Sequence, residues 1–130
     1  MGDIYKSLTI LFFIISFNGF SQDWMQVGSD IDGETAGDYS GYSVSMSSDG
    51  TVVAIGANWN DGNTGNSNDD RGHVRVYQYA SGSWTQLGSD IDGEAADDRS
   101  GYSVSLSSDG TIVAIAANKN AGNGTNEGHV

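Results

Sequence analysis

The sequence predicts an all-β fold of repeated four-stranded antiparallel sheets, and three observations predict it. The stretch at residues 40–57 returns nearly unchanged at residues 100–117. Within each copy two segments of strand-like patterning flank an Asp-Gly pair, the signature of a tight hairpin. Beyond residue 21 there is no Phe, and the core must be drawn mainly from Val, Ile, Ala, Tyr and Trp, a strand-forming palette.

The first element is not part of that fold. Residues 1–21 carry Lys6, then an apolar run over 8–17, then the small residues Gly19 and Ser21. This is the pattern of a secretory signal peptide, cleaved near Ser21–Gln22. The run is shorter than the roughly 20 residues of a spanning helix. The predicted location is therefore outside the cell or on its surface, with no membrane span in the mature chain.

Residues 24–31 begin with Trp24 and read as strand four of a preceding or closing sheet. The same words return at Trp84, and the two copies agree at most positions from Trp24 to Asn66 and from Trp84 to Asn126. A period of about 60 residues marks a repeat architecture.

Within the unit at residues 40–91, strand one is expected over 42–47. Tyr42, Val44 and Met46 lie on one face, Ser43, Ser45 and Ser47 on the other. Ser48-Asp49-Gly50 turns the chain. Strand two, over 51–57, is apolar on both faces and should lie between packed layers. Each large aliphatic buried there is worth about 1.5–3 kcal/mol. A polar loop at 58–71 follows, and its counterpart at 118–127 is shorter, as surface loops tolerate. Strand three is expected over 72–79 and strand four over 84–88, short and polar enough for an outer edge. A second unit starts over 100–130.

A four-stranded meander repeated head to tail is the pattern of β-propeller blades, here about two and so incomplete, since a ring needs typically 4–8. The meander order also predicts which loops meet. The tight turns after strands one and three share one end. The Asn-rich loop and the acidic loop share the other.

Composition bounds the function. With no Cys, disulfides and thiolate metal sites are excluded, and with no Pro and 19 Gly the turns rest on Gly and Asx chemistry. A net charge of −12 disfavours nucleic acid and anionic lipid as partners.

The residues Ser-Gly-Tyr-Ser-Val, Asp-Gly, Val-Ala-Ile-Gly-Ala and Gly-His-Val-Arg-Val-Tyr resemble the FG-GAP repeat of integrin α-chain propellers and of many secreted bacterial proteins. The resemblance implies a propeller and a role in binding or adhesion. The family's Phe-Gly is Ser40-Gly41 and Ser100-Gly101 here. The calcium loop such repeats often carry between strands one and two is absent, only Ser48-Asp49-Gly50 standing there. WD-type propellers share the hairpin but have a shorter period.

Calcium is the one cofactor the residues suggest, at a different place. Asp30, Asp32 and Glu34, with Asp38, space carboxylates around Gly33 as flexible calcium loops do. Asp90, Asp92 and Glu94, with Asp97 and Asp98, repeat the pattern. The competing expectation is that these acids cap backbone N–H groups. A second candidate is the binding loop with Trp59, Asn60, Asp61, Asp69 and Asp70, where an exposed ring among amides and acids suits an unidentified protein or carbohydrate. His73 and His129 occupy equivalent places, which predicts a structural role. With one His per unit, neither a nucleophile–base pair nor a zinc site is expected. No catalytic residue is assigned. The expected function is a non-catalytic binding or adhesion module. The alternatives are the N-terminal part of a secreted enzyme whose catalytic residues lie elsewhere, and a structural spacer.

Overall fold

The computed structural model describes residues 23–122 and 124–130. The expected leader at 1–21 and its cleavage point lie outside the described residues. What is described contains seven strands, one short 3-10 turn over Gly62–Thr64 and no α-helix.

The first sheet is the meander that the patterning predicts. Strands β1 (Ser43–Met46), β2 (Val52–Ala57), β3 (His73–Ala80) and β4 (Ser83–Gln86) pair in sequence order, each antiparallel to the last. β4 forms the polar outer edge. The register sets Val44 opposite Ile55 and Met46 opposite Val53. Across the next ladder Ile55 faces Arg75 and Ala57 faces His73. Strand ends differ from the expected ones by a residue or two.

A second sheet begins the next repeat with β6 (Ser100–Leu106) and β7 (Val113–Ala117), again an antiparallel hairpin. A backbone bridge joins Ala117 to His129, the place of a third strand, in the register that pairs Ala57 with His73. Between the sheets lies β5 (Ile91–Asp92), which pairs with β3. The sequence predicts a loop here, because two residues carry no periodicity.

One expectation is corrected. Residues 24–31, read as strand four of another sheet, form no strand. The copy at Trp84 becomes β4 because Tyr79 of β3 stands opposite and offers a free edge. Trp24 has no such neighbour among the described residues and is 92% exposed. The segment instead lies on the first sheet: Trp84 Nε1 donates to the Val27 carbonyl at 2.8 Å, and Arg75 Nη2 to the Asp32 carbonyl at 2.7 Å.

The core sits where β2 and β3 meet the second sheet. Val52, Val53, Ala54, Ala57 and Val74 are buried, so β2 lies between layers as its two apolar faces require. The contact is close and partly polar. Ser43 Oγ donates to the Gly101 carbonyl at 2.7 Å, and the Leu106 amide donates to Ser45 Oγ at 2.9 Å. The serine face of β1 thus turns towards the second sheet. The apolar face carrying Val44 and Met46 stays exposed.

Both hairpin turns are closed by their own side chains. Asp49 Oδ1 accepts from Ser47 Oγ at 2.6 Å, the Thr51 amide at 3.0 Å and Thr51 Oγ1 at 2.9 Å. Asp109 repeats this with Ser107 and Thr111. These bonds stabilise the ionised carboxylate and pull its pKa down, to about 2 at Asp109. Gly50 and Gly110 supply the positive φ the turn requires.

Candidate functional site

The Asn-rich loop and the acidic loop meet at one end of the sheets, as the meander order predicts. Asn60 Nδ2 donates to Asp38 Oδ2 at 2.8 Å, and the same Asp38 oxygen accepts from the Thr35 amide at 3.1 Å. In the second copy Asp98 Oδ2 accepts from Asn120 Nδ2 at 2.9 Å and from the Ala95 amide at 2.8 Å. Asp38 and Asp98 therefore close their loops from buried positions.

The binding-loop candidates divide in the same way. Asp61 Oδ1 accepts the backbone amides of Asp69 and Asp70, at 2.9 and 3.1 Å. Asp69 takes both Nε and Nη2 of Arg71, at 3.1 and 3.0 Å, and these bonds hold its carboxyl below the ordinary value. Asp70 receives Arg99 Nη2 at 3.0 Å. Asn60 is buried. These four residues shape the loop, and Trp59 is the member that presents a large surface, 42% exposed.

Trp59 belongs to an aromatic group at the junction of the repeats. The Arg99 guanidinium carbon lies 3.3 Å from its ring centroid, and Tyr39 packs against it at 5.8 Å. Tyr42 and Tyr102, equivalent residues of the two copies, stand 5.4 Å apart, ring to ring. Together with Asn58, Asn118 and Lys119, residues 42, 59, 99 and 102 line a groove of about 170 Å³. Two buried polar atoms border it without a hydrogen-bond partner: Asn58 Oδ1 and Arg99 Nε. Sequence reasoning reached Trp59 but missed Arg99, Tyr42 and Tyr102. The repeated Tyr was the available signal, since adjacent repeats bring equivalent residues side by side.

The acidic residues do not gather loop by loop. Asp30 Oδ1 accepts from Gln26 Nε2 at 2.7 Å, and Asp90 Oδ1 from Gln86 Nε2 at the same distance. Asp32 contributes its backbone carbonyl to Arg75. Glu94 Oε2 lies 3.4 Å from Asn120 Nδ2 and 3.7 Å from His129 Nδ1. The convergence that does form crosses from one acidic loop to the other. Glu34 and Asp90 come together with His73, their ligand-capable atoms all within 4.8 Å of one another. Asp92 adds a carboxylate oxygen 4.0 Å from His73 Nδ1. Glu34, Asp90 and Asp92 were among the sequence candidates. His73, whose recurrence in register predicts a structural role, joins them here.

No helix among the described residues is long and apolar enough to cross a membrane. No curated protein matches the chain. Residues 22–77 match the sequence model of the FG-GAP repeat, a span that takes in the acidic loop, β1, β2, the Asn-rich loop and the first half of β3. That match and the four-stranded meander identify residues 22–77 as similar to an FG-GAP repeat, and the described residues have the all-β, antiparallel fold of a β-propeller fragment.

Proposed function

We propose that this protein is a non-catalytic binding module, exported to the cell exterior, that takes its ligand at the loop end of the repeat junction. The observation that carries the reading is the groove of residues 42, 59, 99 and 102. Three aromatic rings are presented there beside a guanidinium, with partly exposed flat faces. Aromatic faces of this kind stack on the C–H faces of sugars and anchor protein partners, while amide and guanidinium edges supply directional hydrogen bonds. Asn58 and Asn118 line the groove and would supply such amide groups. Export rests on the leader pattern at 1–21.

The test is a glycan array and a cell-surface protein overlay, probed with the labelled full chain. Trp59→Lys installs the residue that the second copy carries at this place. Binding that falls at least about tenfold in Trp59→Lys and Tyr42→Ala, with unfolding midpoints retained, supports the groove. A chain that binds nothing in either format is a spacer, and a ligand indifferent to both substitutions binds elsewhere.

A further inference from the structure

We propose that Glu34, His73 and Asp90 form a binding site for a divalent transition metal of the zinc class, built across the boundary between one repeat and the next.

The central observation is an orphaned nitrogen. The His73 side chain is only 2% exposed, and its Nδ1 has no hydrogen-bond partner. Leaving such an atom bare costs free energy. Nδ1 points at carboxylates, with Glu34 Oε2 at 3.8 Å and Asp92 Oδ1 at 4.0 Å. These separations are too long for hydrogen bonds. They are also short for a bridging water, whose two bonds of about 2.8 Å at a tetrahedral angle span about 4.6 Å. A tetrahedral zinc-class ion with bonds of about 2.1 Å sets its ligands about 3.4 Å apart. The 3.8 Å gap between His73 Nδ1 and Glu34 Oε2 is nearer to the ion's span than to that of a bridging water.

The surroundings are prepared for that charge. Glu34, Asp90 and Asp92 bring three carboxylates, and Arg75 Nη1 lies 3.9 Å from Glu34 Oε1, the oxygen turned away from His73. Formally two negative charges remain for a divalent cation to neutralise.

The framework is firm. β3 places His73 opposite Ala57 of β2 on one side and Asp92 of β5 on the other, so its backbone is paired on both edges. Gln86 on β4 holds Asp90 by its Oδ1. An imidazole nitrogen among carboxylates suits zinc and its neighbours in the first transition row, whereas calcium takes oxygen ligands throughout. The donor set therefore shifts the metal expected at these acids away from calcium.

The second copy repeats half of the arrangement. His129 Nδ1 lies 3.7 Å from Glu94 Oε2, with no carboxylate in the place of Asp90 among the described residues. It serves as an internal control. None of the three ligands lines the aromatic groove, so the inference is independent of the function proposed above.

The experiment is calorimetric titration of the full chain with zinc chloride at neutral pH, repeated with calcium chloride. The expected result is one strong zinc event per chain. Glu34→Gln and Asp90→Asn should each weaken it by about tenfold or more, while Glu94→Gln leaves it unchanged. Because His73→Ala removes a buried side chain and risks unfolding, His73 is read in the wild type, by a zinc-dependent shift of its Nδ1 nitrogen-15 resonance. Absence of a zinc event, a zinc event indifferent to Glu34→Gln and Asp90→Asn, or calcium binding without zinc binding each overturns the proposal.

Discussion

The Arg99 guanidinium stacks on the Trp59 ring with 3.3 Å between its central carbon and the ring centroid, and the same guanidinium reaches Asp70 Oδ2 at 3.0 Å. Arg99 ends the acidic loop that leads into the second repeat and both partners belong to the first, so one side chain ties the start of β6 to the first repeat at its loop end. It is buried, and its Nε lacks a partner. Arg99→Ala removes the stacking and leaves the Asp70 carboxylate without its cation. The expected loss is about 1–3 kcal/mol, read as a fall in the urea midpoint. A change below about 0.5 kcal/mol would mean that the contact is no more than a surface pairing.

Gly56 shows how closely the sheets approach. A Cβ at this position would collide with the Gly101 carbonyl and with Ser43 Oγ. The equivalent residue of the second copy is Ala116, half-buried, with no neighbouring sheet among the described residues that forces a bare backbone. Gly56→Ala should therefore cost about 1–3 kcal/mol through the forced separation of the repeats. Ala116→Gly should cost only the flexibility penalty of about 0.5–1 kcal/mol. Equal costs in thermal unfolding would contradict the packing account.

The contrast between Gly56 and Ala116 shows where the sequence was legible. Alternation in β1, the Asp-Gly turns and the repeat itself were local signals, and they foretold the hairpins and the loops that meet. Residues 24–31 misled because the same letters as β4 need an open edge of β3 to become a strand, and edges are not written locally. The Glu34, His73 and Asp90 convergence was half legible. The acids stood out, but only the pairing of β5 with β3 brings the second acidic loop to His73. Repetition in register marks a structural residue. A repeated ligand at a repeated boundary leaves the same mark.

Acid should act on the hairpin turns. Asp109 is held down to about 2 from 3.8, and Asp49 is lowered in the same way, first by the Ser47 or Ser107 hydroxyl and then by the Thr amide. A carboxylate whose folded pKa lies below its unfolded one stabilises the fold fully above the unfolded value. The contribution fades as pH falls through the folded value. The window therefore runs from about 3.8 down to about 2. Asp49→Asn with Asp109→Asn should flatten the melting temperature against pH within that window and leave its slope above pH 5 unaltered. An unchanged acid slope would show that the turn carboxylates titrate as in the unfolded chain.

The exposed face of β1 carries the last prediction. Val44 and Met46 are 57% and 53% exposed, whereas their equivalents in the second repeat, Val104 and Leu106, are half-buried on a strand whose Leu106 amide meets Ser45 Oγ of β1. The chain thus displays what covers such a face: the small-residue side of another repeat. The second sheet presents that side too, at Ser103, Ser105 and Ala114, all exposed. One copy's Ser103, Ser105 and Ala114 should therefore meet the next copy's Val44 and Met46, a head-to-tail contact that can propagate or close a ring. Sedimentation should show concentration-dependent self-association of the full chain. Val44→Ser with Met46→Ser should shift it towards monomer, and Ala114→Glu, on the opposite side of the contact, should do the same. Each doubly substituted or charged chain should then recover association only when mixed with a partner that supplies the missing face. A wild-type chain that stays monomeric at high concentration would show that the serine face of the second sheet does not recognise this surface.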